Sequence, residues 1–492
     1  MRRSRTLRFL AGAALLCVVF APVPLLAQKK KSTEVTITTS SKEALALFQK
    51  GRDKWEDNES VAAASLLDQA IQKDPGFAMA YAYRARSGGG VAVSRQNLDK
   101  ALGLAEKVSP AEKHWILATE AFLDGNSTKA KQEIDELLKL YPEDKRVHFL
   151  AGYYYSTIQS DLKPALEHHT KATAIDKTYA ASYNQIGYLR SRLGQYGEAE
   201  QAFKQYIALR PTSPNPYDSY AELLMKTGRY DESIAQYQKA LEKDPGFVSA
   251  YNGIGSNYVF KADYAKAREA YQREFEQSPN VDGKEAALYW RTVSYVHEGK
   301  VDEALKSVED ACTFAEKENR ISSAIGTHWQ AAFILGETGQ LAGSVKHLEK
   351  ASESLEKAAL PAAVRDELQL GILGGRARVL LAVHEFESAR AVAEKFRALA
   401  KTRSNPGYER SLETLLAQIA LEEGKYDEAL DHLKKADPES PYNWFCKAVA
   451  LEKKGDRAAA SELYGKIVGW NQNSLRYAIV RQRALKKTLG KS

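Results

Sequence analysis

The sequence predicts an all-α fold: a solenoid of about twelve stacked helix–turn–helix repeats. Three observations carry that prediction. From Ala180 to Pro279, aromatic residues recur in register every 34 residues. Tyr183, Tyr217 and Tyr251 hold one column, Tyr196, Tyr230 and Tyr264 a second, and Phe203, Tyr237 and Tyr271 a third. Between them the small and apolar residues follow helical spacing, as Tyr183, Ile186, Gly187 and Leu193 do on one stripe. Glycine and proline punctuate the pattern: Pro211, Pro245 and Pro279 close three successive units without a gap.

Each column has a physical reason. Gly187, Ala221 and Gly255 are small where two helices must approach closely. Gly194 and Gly228 end the first helix of a unit, because glycine enters a left-handed turn without a Cβ penalty. Tyr196 and Tyr230 are expected to pack under the turn. Ala199 and Ala267 let the second helix sit against the first, and Phe203, Tyr237 or Tyr271 fills the groove beside them. This unit resembles the tetratricopeptide repeat, most clearly over 180–279, and less closely but continuously over 44–177 and 285–468. The resemblance implies a right-handed superhelix whose first helices line a concave groove, and a binding role.

The chain begins differently. Arg2, Arg3, Arg5 and Arg8 precede an apolar run from Phe9 to Ala21, and Leu25-Leu26-Ala27 follows. Residues 1–27 read as a secretory signal peptide cleaved before Gln28, with an uncleaved anchor as the competing reading. Pro22 and Pro24 interrupt the run, which is short beside the ~20 apolar residues a spanning helix needs. No transmembrane helix is expected after cleavage, and the mature protein is expected in the periplasm or outside the cell. Residues 28–41 are polar and are expected to be a flexible tether.

Helical periodicity starts near Lys42. Degenerate units run from Ala44 to Pro75, Met79 to about Lys107, Ala111 to Pro142 and Arg146 to Lys177, completing an array over 42–279. Gly88-Gly89-Gly90 follows a helix and lacks a Lys-Ser or Lys-Thr, so it reads as a wide turn rather than a phosphate cradle. The unit from Arg146 carries one extra residue at its turn. Divergent repeats fill 280–470, with turns at Gly299, Gly339, Gly424 and Gly455. Cys312–Ala324 and Ala351–Leu370 are expected as additions that lengthen helices, and 471–492 as a helix capping an elongated stack.

Composition narrows the function classes. The chain has 70 basic and 63 acidic residues. Removing 1–27 takes away four arginines and no acid, which leaves 66 against 63, a nearly neutral protein without the basic footprint of a nucleic-acid binder. Cys312 and Cys446 lie several repeats apart, too far for a bridge, and are expected to be buried thiols. The nine histidines form no His-Glu-x-x-His, no Gly-x-Ser-x-Gly occurs, and the pattern points to no metal, cofactor or enzyme activity.

The candidate site is a surface. The stripe of first-helix positions left over from packing is Asn184, Tyr188 and Ser191, then Asp218, Glu222 and Met225, then Asn252, Ser256 and Val259. Tyr153 and Arg192 border it. Such a mixture of aromatic, amide and charged groups suits an extended peptide. A subtype of the resembled family clamps a peptide carboxylate with lysine and asparagine; here Asp218 and Glu222 replace the lysine, so a basic or neutral segment fits better. The expected function is an exported scaffold for protein or peptide partners. The alternative is a cell-envelope receptor for a polysaccharide or small solute stacking on groove aromatics.

Overall fold

The computed structural model describes residues 33–402 and 405–489. The expected signal peptide, 1–27, lies outside the described residues. Among them, 25 α-helices follow one another with no β-strand. Seven hairpins come first: α1 (Lys42–Glu56) with α2 (Ser60–Lys73), α3 (Ala78–Ala85) with α4 (Gly90–Leu104), α5 (Pro110–Leu123) with α6 (Ser127–Leu140), α7 (Lys145–Tyr154) with α8 (Leu162–Ile175), α9 (Ala180–Arg192) with α10 (Tyr196–Leu209), α11 (Asn215–Lys226) with α12 (Tyr230–Lys243), and α13 (Ser249–Phe260) with α14 (Tyr264–Gln277). Five more follow: α15 (Val281–Glu298) with α16 (Val301–Lys317), α17 (Ile321–Glu337) with α18 (Leu341–Lys357), α19 (Ala362–Ala382) with α20 (Phe386–Lys401), α21 (Pro406–Glu422) with α22 (Tyr426–Lys435), and α23 (Pro441–Lys453) with α24 (Arg457–Val468). A single helix, α25 (Leu475–Thr488), ends the described chain. Each helix packs on its hairpin partner and on the next hairpin, which makes a superhelical solenoid.

The small-residue column does what its spacing predicts. A Cβ at Gly187 would stand 2.6 Å from the Phe203 ring, one at Gly253 2.1 Å from Tyr237, and one at Gly255 2.4 Å from Tyr271. Hydrogen at these positions lets Phe203, Tyr237 and Tyr271 sink to full burial, each contributing roughly 1.5–3 kcal/mol of apolar transfer. Gly194 and Gly228 take φ values of 74° and 79° at the turns. The extra residue of the fourth hairpin is absorbed by a π-helical turn over Tyr155–Gln159, closed by Ser160 at φ 55°.

Several expectations are corrected. Tyr196 does not sit under its turn; it opens α10 and is 43% exposed. Cys312 is only half-buried, whereas Cys446 is buried, and both are free thiols. The extra C-terminal stretches do lengthen helices, but breaks at 318–320 and 358–361 divide them between neighbours.

Residues 33–41 are not a loose tether. They lie extended along one edge of the first hairpins. Val35 donates its N–H to Asp144 Oδ2 at 2.7 Å. Thr38 gives its N–H and hydroxyl to the two Glu112 oxygens at 2.7 and 2.6 Å, and Thr39 and Ser40 both bond Asp74. Val35 and Ile37 pack on the core below. Donors at Val35, Thr38, Thr39 and Ser40 find carboxylates at helix ends, so an extended polar segment of this composition is held rather than free.

The largest departure is in the course of the solenoid. It coils back until distant turns touch. Arg210, between α10 and α11, pairs with Asp57 after α1 at 3.0 Å. At the other end α25 packs against α15 and α23, and Tyr477, Val480 and Ala484 share a core with Met225, Val259 and Phe260. The last helix is therefore an inner wedge between the C-terminal and middle hairpins, not a lid on an elongated stack.

Candidate functional site

This wedge reshapes the expected groove. Val259 and Ser256 are buried, and Asn473 donates to Ser256 Oγ at 3.2 Å. Met225 is buried in the shared core, and the Lys226 ammonium lies 4.9 Å from the Trp470 ring centre. Arg192 reaches Glu439 with Nε at 3.1 and 3.2 Å from its two oxygens. The stripe is thus partly roofed by the protein's own C-terminal segment.

What remains open is a cavity of about 370 Å³ between α9, α11, α13 and the 472–473 segment. Tyr188, Arg192, Asp218, Glu222, Asn252 and Ser256 all line it, together with Phe203, Tyr237 and Trp290. Six of the eight expected site residues therefore converge. Asn184 does not join them: it is buried, with neither amide atom hydrogen-bonded. Tyr153 lies elsewhere, beside Trp55 and Phe122, where the Arg86 guanidinium is held 4.9 Å from the Tyr153 ring centre and 4.6 Å from that of Trp55. That aromatic cluster already contains its cation.

The acidic pair defines the electrostatics. Asp218 and Glu222 stand one helical turn apart on α11. Tyr188 donates its hydroxyl to Glu222 Oε2 at 2.7 Å and to Ser219 Oγ at 3.2 Å. Asp218 is half-buried; Glu222 is reachable by water but walled in by the concavity. Desolvation, followed by the neighbouring Glu222 charge, pushes Asp218 well above the ordinary carboxyl value. Desolvation also raises Glu222, opposed by the Tyr188 bond. Neither carboxyl has an ion-pair partner among the described residues, because Arg192 is spent on Glu439 and Lys226 donates to the Ser191 carbonyl at 3.3 Å. The cavity thus holds two acids without an ion pair and aromatic walls, while the two cations of its lining, Arg192 and Lys226, are engaged with Glu439 and the Ser191 carbonyl.

Sequence reasoning missed Trp290, Gln472 and Asn473 as lining residues. Trp290 carries only a helical-spacing signal on α15. No local pattern could have brought Asn473 to Ser256, 217 residues away. Among the described residues no group of three or more metal-ligating side chains occurs, and no helix is long and apolar enough to cross a membrane.

The class of protein these features define is a helical-hairpin solenoid with a binding concavity. The sequence profile described as tetratricopeptide repeat matches residues 180–213, 375–443 and 420–484, and one described as TPR repeat matches 221–259. Over those residues the chain carries tetratricopeptide repeats. It is 33% identical over 85 residues to small glutamine-rich tetratricopeptide repeat-containing protein 2 of Mycosarcoma maydis, covering 17% of this chain and 24% of that one. It is 30% identical over 86 residues to Hsp70-Hsp90 organizing protein 2 of Arabidopsis thaliana, covering 18% and 15%. TPR repeat-containing protein YpiA of Bacillus subtilis matches at 24% over 247 residues, 48% of this chain and 56% of that one. The chain thus spans well under two-thirds of these relatives' lengths. Among solved structures, yeast Tom70 aligns over 91% of this chain and 99% of its own, at 17% identity and a TM-score of 0.44.

Proposed function

We propose that this protein is an exported, non-catalytic scaffold that holds a protein or peptide partner on its concave side, seating a basic side chain of that partner between Asp218 and Glu222. The observation that carries the reading is the unpaired acidic couple in an aromatic-walled cavity. A lysine or arginine entering it is drawn to the acidic pair in a partly desolvated place and favours the charged form of both carboxyls, and the rings of Tyr188, Phe203, Tyr237 and Trp290 shield its stem. Relatives named as Hsp70–Hsp90 organizing proteins support a role in handling other proteins. The N-terminal stretch of arginines and apolar residues supports export.

The test uses the chain from Gln28 onward against an array of peptides that differ only in having Lys or Arg replaced by Gln or Glu, with the best binders titrated by calorimetry. Binding should require the basic residue and weaken with salt, since exposed charges are screened within about 10 Å at 0.1 M. Asp218→Asn with Glu222→Gln preserves shape and should reduce capture; Asp218→Lys with Glu222→Lys should abolish it. Unchanged affinity and salt dependence in either double variant refutes the site. N-terminal sequencing of the secreted protein should begin at Gln28, and a retained Met1 in a membrane fraction refutes export by cleavage.

A further inference from the structure

The C-terminal hairpins carry a second concavity of opposite chemistry, on different helices and independent of the acidic one. A cavity of about 400 Å³ lies between α17, α19, α21 and the start of α25. It adjoins another of about 320 Å³, and Arg378 and Gln418 line both. Arg378 comes from α19, Arg410 from α21 and Arg476 from α25. None of the three guanidinium groups has a hydrogen-bond or ion-pair partner among the described residues. Arg378 and Arg410 are half-buried and Arg476 is exposed at the mouth; most half-buried arginines of this chain find a carboxylate, as Arg483 does with Glu337 at 2.9 Å.

Two of these arginines are nonetheless held in place. Trp329 and Phe333, one turn apart on α17, stack at 5.6 Å and 12° between planes. The Arg378 guanidinium lies 5.2 Å from the Phe333 ring centre, and that of Arg476 lies 5.8 Å from Trp329. Trp329 is itself pinned by its indole N–H on the Gly371 carbonyl at 3.0 Å. Two cations standing on adjacent rings repel one another, and burial together with the Arg378 charge pushes Arg476 below its ordinary value. Gln418 supplies an independent sign. It is 7% exposed, it lines both cavities, and its side-chain amide has no partner among the described residues. The amide opens to the cavity, where a ligand atom can bond it.

We infer that the cavity bounded by Arg378, Arg410, Arg476 and Gln418 binds a phosphate monoester. Guanidinium groups arriving from three helices need an acceptor with several oxygens in different directions and more than one negative charge. A carboxylate offers two coplanar oxygens and a single charge; a phosphomonoester offers three oxygens and −1.5 to −2 near pH 7. The acids in the lining, Glu367 and Asp437, are both exposed, and Asp437 accepts the Glu439 N–H at 3.0 Å. They leave the three arginines in excess over the two acids.

The experiment titrates the full chain from Gln28 with O-phosphoserine, and with acetate and succinate as carboxylate controls. Saturable binding of phosphoserine is expected, tighter at pH 7 than at pH 5 because the second phosphate proton leaves near pH 6. Arg378→Gln or Arg476→Gln should weaken it about 10- to 100-fold, and Arg476→Lys should recover part of the loss. In the unaltered protein, phosphoserine should protect Arg378 and Arg476 from phenylglyoxal, read by peptide mass spectrometry, so the inference stands apart from any folding defect of a variant. A phosphoserine peptide binding more tightly than phosphoserine itself identifies a phosphorylated protein as the source; equal affinity identifies a small phosphorylated solute. No saturable phosphoserine binding, carboxylates binding as tightly, or both arginines remaining unprotected overturns the inference. None of these outcomes depends on Asp218 or Glu222.

Discussion

Glu274 gives the sharpest physical test of the packing. It lies on α14, is 3% exposed, and its Oε2 atom has no hydrogen-bond partner. Burial alone pushes its carboxyl from the usual 4.5 up to about 8. Below pH 4.5 the group is protonated whether the hairpin is closed or open, so it costs nothing in charge. Above that the open chain ionises while the closed hairpin keeps its proton, and stability falls as pH rises until about 8. The slope is about 1.4 kcal/mol per pH unit, so the full window removes on the order of 5 kcal/mol. Glu274→Gln keeps the shape and cannot ionise. The variant should match the unaltered protein at pH 4.5 and gain on it steadily toward pH 8. The assay is hydrogen exchange of the α14 amides, expressed as protection factors at pH 5, 6.5 and 8. If the two proteins lose protection in parallel across that range, Glu274 is not a buried carboxylic acid and the packing of α14 has been misjudged.

Two further outcomes follow from the packing. Gly253→Ala should destabilise the array by about 1–3 kcal/mol, because the new methyl would stand 2.1 Å from the Tyr237 ring; calorimetric melting checks it, and a wild-type melting temperature refutes the close approach. Glu112→Ala should loosen residues 33–41, since that buried carboxylate accepts from Thr38 and Ser109; limited proteolysis should then cut before Lys42, and resistance equal to the parent would show that the bonds to Asp74 and Asp144 and the packing of Val35 and Ile37 suffice without Glu112.

The sequence made the hairpins legible because their determinants are local. Gly187, Gly253 and Gly255 sit within sixteen residues of the rings they admit, so a periodic column suffices to place them. The acidic pair was legible for the same reason: Asp218 and Glu222 share one helix face by spacing alone. The roof over the groove was not. Asn473, Trp470 and Tyr477 reach α11 and α13 only because small rotations accumulated over the intervening hairpins bring them there, and no pairwise spacing records that sum. The strap over 33–41 failed differently. Its threonines and serines look solvated in isolation, and the carboxylates that hold them come from Asp74 and Glu112, with Asp144 taking the Val35 N–H. The arginine concavity escaped because an arginine without a partner is invisible until every neighbour is placed.

The helix wedged between the last and the middle hairpins changes how this molecule should come apart. A linear array behaves as a row of units coupled only to their neighbours, so it frays from its ends and tolerates loss of a terminal unit. Here Arg192–Glu439 and Tyr477 against Phe260 join units more than two hundred residues apart, and the segment between them becomes a ring in which no hairpin is terminal. Fraying from the C-terminus must first release the core shared with α11 and α13, so unfolding should be cooperative across the ring. Deleting α25 would convert that single transition into the stepwise melting of an open row.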